Sequence, residues 1–197
     1  MLRYLYKETG EYLSEEGFLR GAAELPPVLS EYAAAPRRAA DRARRLCGLL
    51  LLSRFFTEFC PGRPMFPLLF SENGKPSLPG DPFFFNISHA KNLAVCATAD
   101  RPVGVDIVSY REAGEARYER LAERYFSAEE RGILRSSPCP TRCFAEIFAR
   151  KEAVVKESGK GLSALRGTNT VALPMALETT LSDSSGEEYY LAVYCPN

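Results

Sequence analysis

The chain has 197 residues, 46% of them hydrophobic, enough to bury a core as one large domain or two small, closely packed ones. Its 25 basic and 25 acidic residues cancel, so no global field draws it to nucleic acid or to a membrane surface, and any polyanion site must be local. The six cysteines sit mostly in apolar runs and the chain has one histidine, so Cys139 and Cys143 do not suggest a zinc site and reduced, buried thiols are expected.

The amino terminus lacks the apolar core of a signal peptide, and no stretch is long and apolar enough to span a bilayer, so a cytoplasmic protein is expected. Met1 to Lys7 alternates as a first strand. Ala39 to Phe59 carries Leu, Cys and Phe at helical spacing until Pro61-Gly62 stops it, and this helix begins basic, with Arg37-Arg38, Arg42 and Arg44-Arg45. A loop rich in Pro, Gly and Asn is expected from Cys60 to Pro82. Three short β-prone runs follow, beginning at Phe83, Leu93 and Val103, separated by Ser-His-Ala-Lys-Asn and Ala-Asp-Arg-Pro, and they read as neighbouring strands.

From Ala113 to Leu134 the pattern is helical, and Ser127-Ala-Glu-Glu130 forms a capping box for a second short helix. Arg142 to Ser158, preceded by Pro140-Thr141 and closed by Gly159, is a further helix. Strands at Thr170 to Leu173 with Leu177 to Leu181, and at Tyr189 to Cys195 across the turn Asp183-Ser-Ser-Gly186, finish the chain. Helices followed by strands in both parts predict an α+β protein of two halves, 1–102 and 103–197.

Five local features could carry chemistry, and each has an ordinary structural alternative. Asn86-Ile-Ser88-His89 places polar groups where an apolar strand emerges; they can bind a phosphate or serve only the fold. Asp106, inside the apolar strand Val103-Gly-Val-Asp-Ile-Val, calls for a cation, or for backbone donors at a strand end. Glu152 and Lys156 lie four apart on one helix and share a face, as do many solvated Glu–Lys pairs. Asn73-Gly-Lys75-Pro76 is a turn that presents a lysine. The arginine-rich helix start could grip phosphates or nucleic acid, but it lacks interleaved aromatics for base stacking and can equally be a solvated face.

In order, Gly-Lys-Pro at 74–76, Asn-Ile-Ser-His at 86–89, Val-Gly-Val-Asp-Ile at 103–107, Arg-Tyr-Phe-Ser-x-x-Glu at 124–130 and Lys-Glu-Ala-x-x-Lys-x-x-Gly-x-Gly at 151–161 resemble the surfactin-type phosphopantetheinyl transferases. The resemblance covers roughly residues 37–165 and is most specific in Gly-Val-Asp-Ile and the last motif. It implies two similar α+β halves in a pseudo-twofold arrangement, with the active site in the cleft between them. The implied activity is Mg2+-dependent transfer of 4'-phosphopantetheine from coenzyme A to a serine of an acyl or peptidyl carrier protein, with adenosine 3',5'-bisphosphate released.

By the same resemblance, Asp106 and Glu152 would hold the metal, and Glu152, directly or through a water, would deprotonate the carrier serine. Lys156 would touch the phosphates and assist the leaving group. Ser88, His89 and Arg44 would bind the 3'-phosphate, Lys75 and Pro76 would line the adenine side, and Arg37 and Arg38 would assist the phosphate. The balanced charge leads to the expectation of no nucleic-acid or membrane partner, and two fused halves lead to the expectation of a monomer.

Two departures from the family pattern stand out. Asp106-Ile-Val108 replaces the usual Asp-x-Glu, which removes one carboxylate, and Phe148 stands for the usual Trp before Lys-Glu-Ala. The first motivates a competing reading, a catalytically degenerate relative that binds coenzyme A or a carrier protein without transferring anything. A small nucleic-acid-binding protein that uses the basic helix start is a further alternative.

Overall fold

Alternating side chains in Arg3–Glu8 and an unbroken apolar run in Leu93–Ala99 make two strands that pair antiparallel, with Leu5 opposite Cys96. They belong to the first of two compact units, Met1–Arg101 and Pro102–Asn197, into which the chain divides. This computed structural model describes residues 1–63, 65, 68–80, 82–111 and 115–196.

In the first unit β1 (Arg3–Glu8) leads through a 3-10 turn to α1 (Glu15–Ala22), α2 (Pro27–Ala34) and α3 (Ala39–Phe59). The minimal hairpin of β2 (Leu69–Phe70) and β3 (Pro76–Ser77) precedes β4 (Phe84–Ala90) and β5 (Leu93–Ala99). The sheet order is β1-β5-β4, antiparallel throughout. Leu46, Leu49, Leu52, Phe55 and Phe56 of α3 share one core with Phe83, Phe85, Ala94 and Cys96.

The sequence pattern does not reveal α1 and α2, which are each eight residues long. Ser14 caps α1 by accepting the Gly17 amide, and Pro27 opens α2 at its first turn. At Gly17 a Cβ would lie 1.9 Å from the Glu11 carbonyl oxygen, so α1 packs tightly on the 3-10 turn that precedes it.

The second unit runs β6 (Gly104–Ser109), α4 (Glu115–Tyr125), α5 (Ala128–Ser136), α6 (Pro140–Ser158), a 3-10 turn at Leu162–Gly167, β7 (Leu177–Ser182) and β8 (Glu188–Tyr194). Its sheet order is β6-β8-β7, again antiparallel. The Ser127 capping box forms as the sequence indicates, and α6 starts on Pro140 and ends on left-handed Gly159. Ala113, where the helical pattern begins, lies outside the described residues.

Three expectations are corrected. Ser88, His89 and Ala90 do not interrupt the strand; β4 continues through them, and the turn is only Lys91-Asn92, with Lys91 at positive φ. β6 is not a neighbour of β5, because β1 and β4 occupy both edges of β5 and β6 pairs with β8. Thr170 to Leu173 is not a strand. Glu130 takes the Thr170 amide and Arg150 takes the Thr170 and Leu173 carbonyls, so those groups are unavailable to a ladder.

The described cysteines are free thiols. Cys47, Cys60 and Cys96 are buried as expected, but Cys139 is exposed at the start of α6. Among the described residues no helix is long and apolar enough to cross a membrane.

Candidate active site

Strand alternation sends Gly104, Asp106 and Val108 to one face of β6, and α6 covers that face with Ala149, Glu152, Ala153 and Lys156, spaced three, four and seven residues apart. The approach is close because Gly104 has no side chain. A Cβ there would lie 1.9 Å from the Ala153 carbonyl oxygen and 2.4 Å from the Glu157 nitrogen. Helix backbone therefore rests on strand backbone, and Asp106, two residues further along the same face, meets the next turn of α6.

Asp106 and Glu152 are 5% and 8% exposed. The Lys156 ammonium donates to Asp106 Oδ1 at 2.5 Å. Burial first, and then the nearby Asp106 charge, push the Glu152 carboxyl up to about 7, with Lys156 pulling the other way. The i, i+4 pair is thus no solvated helix pair: its lysine reaches a buried carboxylate on another element.

Two buried carboxylates, one of them, Glu152, disfavoured as an anion by the other, are suited to a cation, and magnesium is commonly held by one or two carboxylates together with water and phosphate oxygens. Among the described residues no group of three or more His, Cys, Asp or Glu converges on a metal-sized site. Val108 instead packs with Ala149, Ala153 and Ala192. The residues present fit a metal that draws its remaining oxygens from water and substrate.

The other candidates lie in the first unit. Ile87, two residues before His89, packs on α3, and a Cβ on Gly48 would lie 2.7 Å from Ile87 Cγ2. His89 therefore leaves β4 on the α3 side and is exposed, whereas buried Ser88 points to the opposite face. Arg44, one turn before Gly48, donates through Nε to the Lys91 carbonyl at 2.8 Å and pairs with Asp41 at 3.0 Å. Arg44 is thus held at the β4–β5 turn, two residues beyond His89 in the chain.

Arg37 and Arg38 are exposed just before α3. Lys75 and Pro76 lie on the β2–β3 hairpin, where the Lys75 amide bonds Ser71 Oγ. The basic helix start is not one continuous cationic face. Arg42 reaches Glu15 and stacks over Phe18, while Arg45 donates to the Tyr32 carbonyl and stacks over its ring. Phe148 stacks on Phe144 at 5.3 Å, which fills the apolar role of the usual Trp.

Residues 102–191 match the family described as the 4'-phosphopantetheinyl transferase superfamily. This segment of the chain is similar to that superfamily. It is 37% identical over 128 residues to the 4'-phosphopantetheinyl transferase psf-1 of Bacillus pumilus, a match spanning 62% of this chain and 53% of that protein. Against the 4'-phosphopantetheinyl transferase HetI of Nostoc sp. identity is 34% over 122 residues, 58% of this chain and 49% of the other. A holo-[acyl-carrier-protein] synthase of Desulforudis audaxviator is 42% identical over 64 residues, 31% of this chain and 49% of the other. The chain spans about half the length of the curated relatives it matches. Asp106, Glu152 and Lys156 lie inside the matched segment of the superfamily, and the first-unit candidates lie outside it.

Sequence reasoning missed one large polar feature beside this site. Glu130 and Lys151 form an ion pair of 2.8 Å with both side chains 0% exposed. Burial alone would raise the Glu130 carboxyl, but bonds from Lys151 and from the Ser127 and Thr170 amides outweigh it and hold that carboxyl below the ordinary range. The capping box pointed to Glu130 only as a local helix device, since nothing in the pattern couples it to a lysine 21 residues on.

Proposed function

We propose that this chain transfers the 4'-phosphopantetheine arm of coenzyme A to a serine hydroxyl of an acyl or peptidyl carrier protein, with Mg2+ required and adenosine 3',5'-bisphosphate released. The observation that carries this reading is the convergence of Asp106, Glu152 and Lys156 on the β6–α6 seam, inside the segment that matches the superfamily. Asp106 and Glu152 would hold the magnesium, which when bound neutralises charge on the pyrophosphate.

Glu152 accepts the serine proton as the serine oxygen attacks the β-phosphorus. The phosphoanhydride P–O bond to the adenosine bisphosphate breaks, and Lys156 donates to the departing phosphate oxygen. Arg44, bonded to the carbonyl two residues after His89, and His89 itself bind the 3'-phosphate. Ser88 joins them in the proposal although its side chain leaves the opposite face of β4, and Ser88→Ala separates its share from that of His89. Lys75 and Pro76 line the adenine side, with Arg37 and Arg38 near the phosphate. The proposal also includes a pseudo-twofold arrangement of the halves, which a structure of the coenzyme complex would test.

The deciding experiment is the intact mass of an apo acyl carrier protein and an apo peptidyl carrier protein after incubation with this chain and coenzyme A, with and without magnesium. A magnesium-dependent gain of one phosphopantetheine is expected. If coenzyme A binds but neither carrier gains mass, the activity is refuted and the binder without catalysis replaces it, with Val108 as the reason.

A further inference from the structure

The buried pair beside the site lies where a purely stabilising role is a poor explanation. A desolvated ion pair adds little net stability compared with apolar residues of the same size, because removing both charges from water offsets most of their attraction. Yet this pair is bonded with unusual completeness. Glu130 Oε2 accepts from the Lys151 ammonium and the Ser127 amide, both at 2.8 Å. Its Oε1 accepts from the amide and the hydroxyl of Thr170, both at 2.9 Å. Lys151 also donates to the Thr168 carbonyl. The first turn of α5, the middle of α6 and the segment 168–170 are thereby tied at one point.

The β6–α6 seam explains what such a tie can do. Gly104 sets how close α6 comes to β6, and the fully buried residues of the seam, Ala149, Ala153 and Ala192, are small, with Val108, Met175, Tyr190 and Tyr194 only partly buried against them. Such low ridges interlock weakly, so the contact fixes distance better than rotation about the helix axis. Lys151 and Glu152 are consecutive, about 100° apart around α6. Anchoring Lys151 on the α5 side therefore determines the direction in which Glu152, and Lys156 one turn later, face Asp106.

We propose that Glu130 and Lys151 are positioning residues that fix the rotation of α6 and so align Glu152 and Lys156 with Asp106. The inference rests on reading Asp106, Glu152 and Lys156 as the reacting group. It assigns a task to the glutamate of the Arg-Tyr-Phe-Ser-x-x-Glu motif and to the lysine that precedes Glu152.

The test is the Glu130→Gln/Lys151→Met variant, which leaves no unpaired buried charge. Two readouts are needed. In a crystal structure of the metal-free, coenzyme-free variant, the contact between Lys156 and Asp106 is expected to open beyond hydrogen-bond reach while the sheet order is kept. In the transfer assay kcat is expected to fall about a hundredfold, the effect of a misplacement near 1 Å. Retention of the contact together with wild-type kcat overturns the proposal and leaves the proposed function standing. If the wild-type chain transfers nothing, the proposed function fails, and the crystal contact alone decides the positioning role. Should the double variant not fold, Thr170→Val removes one donor to Glu130 without unpairing the charges. It is expected to lower kcat by a smaller factor, and an unchanged kcat and contact there count against the proposal.

Discussion

The two units use one strand plan with opposite seams. In each, three antiparallel strands are ordered first, third, second in the chain, with β1-β5-β4 in one and β6-β8-β7 in the other. Each packs a long helix on its sheet, and in each a glycine permits close approach. In the first unit that glycine is on the helix, Gly48 against Ile87, and large apolar side chains of α3 fill the seam around it. In the second it is on the strand, Gly104 against the α6 backbone, and the fully buried apolar residues of the seam are alanines, beside two carboxylates and a lysine. The difference teaches that a helix-on-sheet seam can give up apolar volume to chemistry when its charges are paired and its backbones touch.

The sharpest way to break this comparison is at the carboxylates. Asp106→Ala and Glu152→Ala are each expected to reduce transfer to background while circular dichroism and thermal unfolding stay close to wild type. Wild-type turnover in either would remove the metal assignment.

The two glycines come next. Gly104→Val must push backbone from backbone, so a loss of several kcal/mol is expected, above the usual ~1–3 kcal/mol of core overpacking. Gly48→Ala meets side-chain atoms of Ile87, Cγ2 at 2.7 Å, rather than backbone, so a smaller loss of about 1–2 kcal/mol is expected. Chemical denaturation of both variants checks the order, and equal losses would show that the seams do not differ as described.

The first-unit candidates predict a smaller effect confined to binding. Arg44→Ala and His89→Ala should each weaken coenzyme A binding by about tenfold, the scale of one charge-assisted hydrogen bond. Calorimetric titration with the analogue that lacks the 3'-phosphate should show little of that loss. Equal losses with both ligands would detach these residues from the 3'-phosphate.

The smallest effect is in acid. Because the folded Glu130 carboxyl is held below its ordinary 4.5, its contribution to stability is complete above pH 4.5 and is lost as pH falls through the lower folded value. The melting temperature of the wild-type chain should therefore fall more steeply below pH 4.5 than that of Glu130→Gln/Lys151→Met. Parallel curves would mean that the pair does not hold its charge in the fold.

Much of this protein was legible from residue order alone. The limits of α3 follow from helical spacing cut off by Pro61-Gly62, and the Ser127 capping box and the Gly159 cap follow from local chemistry between near neighbours. Asp106, Glu152 and Lys156 were visible as a charge within an apolar strand and a carboxylate–ammonium helix face, each with an ordinary structural alternative, and the resemblance of the ordered motifs singled them out. What the order of residues could not decide were relations across long separations. Whether β6 pairs with β5 depends on which strand edges are already occupied. Whether Thr170 extends a ladder depends on a glutamate 40 residues earlier that claims its amide. That Lys156 faces Asp106, 50 residues away, depends on how closely and at what rotation α6 lies on β6. Local propensity and periodicity act over a few residues and are written in the chain, whereas competition for a hydrogen-bonding group or a strand edge is settled only when the whole set of partners is brought together.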